Sequence, residues 1–426
     1  MRRALAVAVS LTALTHVLQA QAVPEGSQAA KVEPAYRRTP TFRLDPFRHA
    51  MIPHWGFVVS GGAVGENNTA NFADIRALIY LQDRDSLLPS DIANLVGLVP
   101  QGRGFTGTVQ GEGGFYLGGP FGGHFSLGLS AQARGYGTIQ LDDSFVSLLR
   151  DGTSSAPSFS LGSSNGAALA TVEGGAHAVI RVGPLASEDG VHVNLGFGGR
   201  YIKPVYFARG GSTLAGADVI QITNDSIIAN LGVAMSHTPE LDSTLNGKAG
   251  IATDFLLRLT WPTSGFALEA MVANIGKLTI HHVETETRRL SVRTDDIDEA
   301  MDSLDAVDSL AVTTIGDTSI TLPRIVRFTA SAWANRFLQL DVSATLPVKG
   351  DFESPLSVDI GTTWRFIRVI PLRAGVVVGG HQNIGFTGGL AIEGRNTFFQ
   401  VFGQSLGGFM KKATGAGARV ELGFFF

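Results

Sequence analysis

Apolar and polar residues alternate along the C-terminal end of the chain. Counting back in twos gives Phe426, Phe424, Leu422, Val420 and Ala418, with Phe425, Gly423, Glu421, Arg419 and Gly417 between them. A two-residue period with one greasy face and one mostly polar face predicts a strand between a hydrophobic phase and water. The pattern recurs in 123–134, where Phe125, Leu127, Leu129, Ala131 and Ala133 alternate with Ser126, Gly128, Ser130, Gln132 and Arg134. It appears again in 191–201, 337–346 and 356–366. Strands of soluble sandwiches usually run about five or six residues, whereas crossing a bilayer takes about nine to eleven. These runs have the longer length.

Strands are predicted near 54–62, 104–118, 122–134, 167–183, 190–208, 248–261, 265–280, 323–333, 336–346, 355–366, 370–380, 384–393, 396–403 and 414–426. Toward the C-terminus the connections alternate between short turns ("EGRN", "FIRV", "WANR", "WPTSG") and longer excursions ("QSLGGFMKKAT", "VKGDFESP", all of 281–322), apart from the short "HQN". Outer-membrane barrels have this rhythm of short periplasmic turns, long external loops and an even strand number. The fold class is therefore all-β, a transmembrane antiparallel β-barrel of about fourteen strands. Trp261, Trp333, Trp364, Phe366, Phe424 and Phe426 all fall at the descending ends of these strands, which predicts one aromatic girdle at the periplasmic interface.

Some segments break the pattern. Residues 70–99 have helical spacing at Ile75, Leu78 and Ile79 and again at Ile92, Leu95 and Val96, with Ser90 a capable cap before the second run. An inward-folded helical plug is expected there. Residues 209–247 and 281–322 are expected as long external excursions, the second an acidic amphipathic helix through Asp295, Asp298, Glu299, Asp302 and Asp305. At the N-terminus, Met1-Arg2-Arg3, the apolar "ALAVAVSLTALTHVL" and Ala20-Gln21-Ala22 match the three parts of a secretory signal peptide. The expected organisation is 1–22 as signal peptide, 23–103 as an N-terminal segment with the first strand and plug, and 104–426 as the barrel.

Composition agrees with export to a membrane. The 53 glycines suit many strands and turns, and a mean hydropathy of +0.17 lies between soluble and helical membrane proteins. A net charge of −4 carries no basic footprint for nucleic acid, so no nucleic-acid partner is expected. With no cysteine, disulfide staples and cysteine-ligated metals are excluded.

Candidate chemistry is sparse. Gly162-Ser163-Ser164-Asn165-Gly166 matches G-x-S-x-G by letter but sits in a Ser/Gly-rich loop, without the strand and helix of a nucleophile elbow. His282, Glu284 and Glu286 could share a strand face as ligands, but no second ligand cluster accompanies them, and the acidic run 295–308 lacks the order of a calcium loop. No catalytic residues, metal or cofactor are expected. The charges inside the predicted strands, Asp254, Arg258, Glu269, Asp341, Asp359, Arg365, Arg419 and Glu421, fall mostly on the polar face and are candidate lumen-lining residues. Both signs occur, so they read first as a mutually paired interior and second as a substrate path.

The phrases "GFALEAMVANIG" (265–276), "LPRIVRFTASAW" (322–333), "IPLRAGVVVGG" (370–380) and "GFTGGLAIEGRNTFFQVFGQSLGG" (385–408) resemble the strand order of the FadL/PorV-like superfamily of outer-membrane barrels. The likeness covers roughly 248–426 and implies about fourteen strands with an N-terminal plug. The superfamily's "NPA" phrase is absent, "GAVGENNTANFAD" standing in its place, so no ligand residues carry over. The resemblance implies passive transport of hydrophobic small molecules across the outer membrane. The expected partners are outer-membrane lipid, the barrel-assembly machinery through the C-terminal strand, and a hydrophobic small-molecule ligand. The alternative is a non-transporting scaffold whose external loops bind a secretion or surface partner. A greasy pocket between plug and wall would favour the first and a lumen packed shut with ion pairs the second.

Overall fold

The computed structural model describes residues 47, 54–69, 71, 102, 104–151, 158–185, 190–214, 218–222, 227–238, 249–294, 312–335, 337–346, 352, 356–367, 369–381, 384–408 and 412–426. The signal peptide expected at 1–22 and, Asn71 apart, the plug expected at 70–99 lie outside them.

Eighteen strands form one sheet among the described residues. They are β1 (Gly56–Asn67), β2 (Phe105–Pro120), β3 (Phe125–Leu141), β4 (Ser158–Phe159), β5 (Asn165–Leu185), β6 (Val191–Ser212), β7 (Val219–Ile222), β8 (Ile227–His237) and β9 (Gly250–Trp261). Then follow β10 (Phe266–Thr294), β11 (Val312–Thr321), β12 (Ile325–Asn335), β13 (Leu338–Leu346), β14 (Ser357–Ile367), β15 (Ile370–Gly379), β16 (Ile384–Glu393), β17 (Thr397–Leu406) and β18 (Gly415–Phe425). One short helix, α1 (Asp143–Asp151), follows β3.

Fourteen of the strands close into an antiparallel barrel, with β4, β7, β8 and β11 outside the ring. The seam is β1 against β18, from Gly56↔Phe425 to Glu66↔Gly415, while the other edge of β1 pairs β2. Closure removes the sheet edges, so the wall satisfies its own backbone groups, which a chain in hydrocarbon must do. The side chains are sorted inside out: on β18, Val420, Leu422 and Phe424 are exposed while Arg419 and Glu421 are buried. On β15, Leu372, Val376 and Val378 are exposed and Arg373 is buried. Water would reverse that sorting, so the outer surface faces hydrocarbon and the barrel spans a membrane.

Two of the external excursions are corrected. Instead of loops, β6 runs on to Ser212 and β10 to Thr294, and β8 and β11 are added above the membrane wall. Because β9 begins only at Gly250, the upper ends of β6 and β10 have no β9 to pair with. There β8 takes its place, matching His237 to both Ala208 and Glu284. On the other edge of β10, β11 pairs from Lys277↔Thr321 to Thr287↔Val312. The Thr- and Ile-rich sequence "VTTIGDTSIT" suits a strand, and the acidic stretch 295–311 lies outside the described residues.

Candidate functional site: a layered barrel lumen

Rising along β6 from its periplasmic end, the inward positions are Gly196, Gly198, Arg200 and Ile202, about 6.8 Å apart at two residues per step. Each marks a different layer of the interior.

At the level of Gly196 the lumen holds an aromatic anchor. Phe47, from the segment before β1, is fully buried against Val179, Leu256, Met271 and Ala273. Its ring meets the His177 imidazole edge-on, centroids 5.4 Å apart. A Cβ on Gly196 would lie 2.8 Å from the Phe47 ring, so glycine makes room for it.

Above it lies a belt of charge. His177 Nε2 is 3.1 Å from Asp254 Oδ2. The Arg200 guanidinium grips Asp254 in a fork, Nε to Oδ2 and Nη2 to Oδ1 both at 2.9 Å, and donates through Nη1 to Glu173 Oε2 at 2.6 Å. Arg134 Nη1 shares that carboxylate at 3.1 Å. Onward round the wall, Arg134 Nε is 3.6 Å from Glu112, whose other oxygen accepts from Arg419. Arg419 also donates to Ser60 Oγ and to Glu421, each at 2.9 Å, and Gln400 donates to Glu421. The belt thus runs unbroken through β17, β18, β1, β2, β3, β5, β6 and β9.

Two glycines let these side chains cross a strand. His177, Gly198 and Asp254 share one rung, and a Cβ at Gly198 would stand 2.3 Å from His177 Cδ2. Across the barrel, Arg373 donates to Asp341, reaching over β14 at Gly361, where a Cβ would stand 2.3 Å from its Nη2. The same guanidinium donates to Asp359 at 3.0 Å.

The uppermost layer is apolar. Leu169, Ile202, Phe207, Leu278, Ile280 and Ile320 form a buried cluster inside the external end, capped by Phe352 from the β13–β14 connection. Phe352 packs on Tyr136 of β3, ring centroids 6.0 Å apart. In ring order β3 and β14 are half the barrel apart, so Phe352 reaches across the full lumen.

All eight candidate lumen residues stand on the inner face. Asp254, Arg419 and Glu421 belong to the belt, and Asp341 and Asp359 to the Arg373 triad. Lower down, Glu269 lies 3.9 Å from Arg258 and 3.6 Å from Arg327, and Arg365 donates to Glu393 at 2.7 Å. Sequence reasoning left Glu112, Glu173, His177, Phe47 and Phe352 out of the site, although the first three lie within predicted strands. Of the girdle candidates, Trp261, Trp364, Phe366, Phe424 and Phe426 follow the outward phase of their strands at the periplasmic ends. Trp333 differs: it pairs with inward Gln339, and its indole nitrogen is buried over the 262–265 turn. Ser163 donates to Asp142 at 3.1 Å and accepts from Gln140, contacts that tie a loop.

No family model matches the chain, and no curated protein matches it. Among solved structures, similarity is found to the toluene transporter TodX of Pseudomonas putida, 10% identical with a TM-score of 0.49, over 90% of this chain and 92% of that one. The TodX deltaS2S3 mutant monoaromatic hydrocarbon channel is 11% identical with a TM-score of 0.48, over 90% and 93%. The monoaromatic hydrocarbon channel CymD is 9% identical with a TM-score of 0.44, over 90% and 91%. The fold stands on the barrel's own closure and register.

Proposed function

We propose that the protein is an outer-membrane barrel for passive transport of hydrophobic small molecules, and not an enzyme. The observation that carries this reading is the apolar layer inside the external end, from Leu169 to Phe352. Barrels that conduct water-soluble solutes line the lumen with polar side chains and water. A buried cluster of Ile, Leu and Phe is a poor path for ions and a good solvent for an apolar solute. Phe352, borne on an external connection, is the group whose movement admits such a solute. The ion-paired belt lies between that layer and the periplasmic end, so the solute must pass it or leave through the wall above it. The structurally similar toluene transporter TodX and monoaromatic hydrocarbon channel CymD are named for the same class of cargo.

The test is entry of a radiolabelled monoaromatic hydrocarbon into vesicles holding the refolded protein, with a charged solute of similar size as control. Transport predicts faster entry of the hydrocarbon alone, and slower entry after Ile202→Asn. Equal entry into protein-free vesicles would overturn the reading.

A scaffold role has two observations of its own, the first being the ion-paired belt in the middle of the lumen. The β10–β11 hairpin stands outside the membrane wall with Val312 50% and Ile315 66% exposed, a surface on which an extracellular or secretion partner could seat. Wild-type hydrocarbon entry equal to the protein-free control, together with a partner captured by the β11 face, would favour it.

A further inference from the structure

The lumen layers leave one side of the wall uncovered. The Phe47 cluster, the charge belt and the Phe352 cluster draw their wall residues from β17 round through β1 and β6 to β12. Among the described residues, none comes from β13, β14, β15 or β16. Inward positions on that side carry little bulk. One rung crosses six strands as Ala267, Ser331, Asp341, Gly361, Gly375 and Thr387, and the next reads Glu269, Thr329, Ser343 and Asp359.

These small side chains are not filled in from across the barrel. On the belt strands the inward Glu173, Arg200, Asp254 and Glu421 are at most 6% exposed. On this side the inward Thr329, Ser331, Ser343, Gly375 and Gly389 keep partial exposure, although they point away from hydrocarbon. In a wall that is otherwise close-packed, such exposure means open space against the side chain. The open side extends in height from Ser357, at the external start of β14, to Glu393 near the periplasmic turn after β16.

Its lining is hydroxyl and balanced charge. Thr329 donates to Ser343 at 3.3 Å. Arg258 and Arg327 face Glu269, Arg373 sits between Asp341 and Asp359, and Arg365 faces Glu393, so four guanidinium groups meet four carboxylates, no pair wider than 3.9 Å. A neutral polar solute trades its hydrogen bonds with water for bonds to such a wall at little net cost. An ion finds no unpaired counter-charge there to replace its hydration.

We propose that this side of the lumen is a corridor for small uncharged hydrogen-bonding solutes, of the size of urea, running beside the packed layers. It goes beyond hydrocarbon transport and does not depend on it, since the two cargoes meet different linings.

Uptake of radiolabelled urea, and of guanidinium as its charged isostere, into vesicles holding the refolded protein tests this. Urea should enter faster than into protein-free vesicles, and guanidinium should not. Ser331→Phe with Ser343→Phe puts two rings into the corridor and should return urea entry to the protein-free rate. Ala330→Phe, one residue away on the hydrocarbon face, should keep the wild-type rate. Urea entry equal to the protein-free control, undiminished in the double variant, or slowed as much by Ala330→Phe, overturns the corridor. Guanidinium entering as fast as urea overturns its restriction to neutral solutes. If the double variant loses the heat-modifiable migration of a folded barrel, Ser343→Leu carries the same test.

Discussion

Asn274 donates its backbone N–H to Asp254 Oδ1 at 2.8 Å from a left-handed backbone conformation, φ 63°. The bulge that breaks the β9–β10 register between Val272 and Ile275 is what turns this residue inward. Its side-chain oxygen then accepts from Arg134 and Arg200, and its amide donates to the Pro323 carbonyl at 2.7 Å. One asparagine therefore fixes the β10 end of the charge belt. Asn274→Gly keeps the backbone conformation and loses the side-chain bonds. Asn274→Ala loses both, the left-handed conformation costing about a further 1–2 kcal/mol. The order of stability in denaturant unfolding from vesicles should be wild type, then Gly, then Ala. Equal loss in the two variants would show that the conformation is not strained.

The strand positions were legible because both sides of the wall reward alternation. The run expected at 384–393 is β16, Ile384–Glu393, and the final run expected at 414–426 is β18, Gly415–Phe425. Above the membrane that signal fades, since both faces meet water: Val312 through Asp317 of β11 are all exposed, and 281–322 looked like a loop for that reason. The belt was half legible. Arg134 and Arg200 lay in the polar phase, but which carboxylate each meets depends on cross-strand register, which a single sequence does not state. Phe47 lies in a segment with no periodicity, so nothing marked it. Trp333 was grouped by height alone, and the register shift between Trp333 and Asn335 was invisible.

Arg200 serves two buried carboxylates, Glu173 and Asp254, with no side-chain exposure of its own. Arg200→Met leaves Asp254 without its main counter-charge and Glu173 with Arg134 as its remaining cation, and should cost about 3–5 kcal/mol, as removal of one partner of a buried ion pair does. Adding Asp254→Asn should recover part of that loss. A double variant as unstable as the sum of the singles, measured by equilibrium unfolding, would mean that the two residues do not interact.

The crossing glycines divide sharply from their neighbours. Gly361→Ala places a methyl group on the Arg373 guanidinium and should separate it from Asp341, whereas a Cβ at Gly174 meets nothing within 4 Å. Gly361→Ala should therefore lower the unfolding midpoint and Gly174→Ala should leave it nearly unchanged. Matching midpoints for the two would show that the arginine repacks freely.

On β18 a single residue step changes the solvent. Val420→Arg places a charge on the 44%-exposed outer face and should destabilise by about 2–4 kcal/mol if that position lies near the bilayer midplane. The penalty should shrink for Phe424→Arg, near the periplasmic end, where the side chain reaches the interface. Equal costs would place the membrane elsewhere along the strand.

Ions crossing the barrel would meet three packed layers in series: the Phe352 cluster, the charge belt and the Phe47 cluster. Current through layers in series is set by the tightest of them. Phe352→Ala or Phe47→Ala alone should therefore leave planar-bilayer conductance at its closed baseline, even though Phe47→Ala removes a buried aromatic and should lower stability by about 3–5 kcal/mol. Combining Phe47→Ala and Phe352→Ala with Arg200→Gln weakens all three layers, and discrete current steps are expected only then. Deleting residues 70–99 leaves every residue named in the three layers in the chain, so that protein should also stay silent. Steps appearing on that deletion alone would move the gate out of the lumen layers and into the connection between β1 and β2.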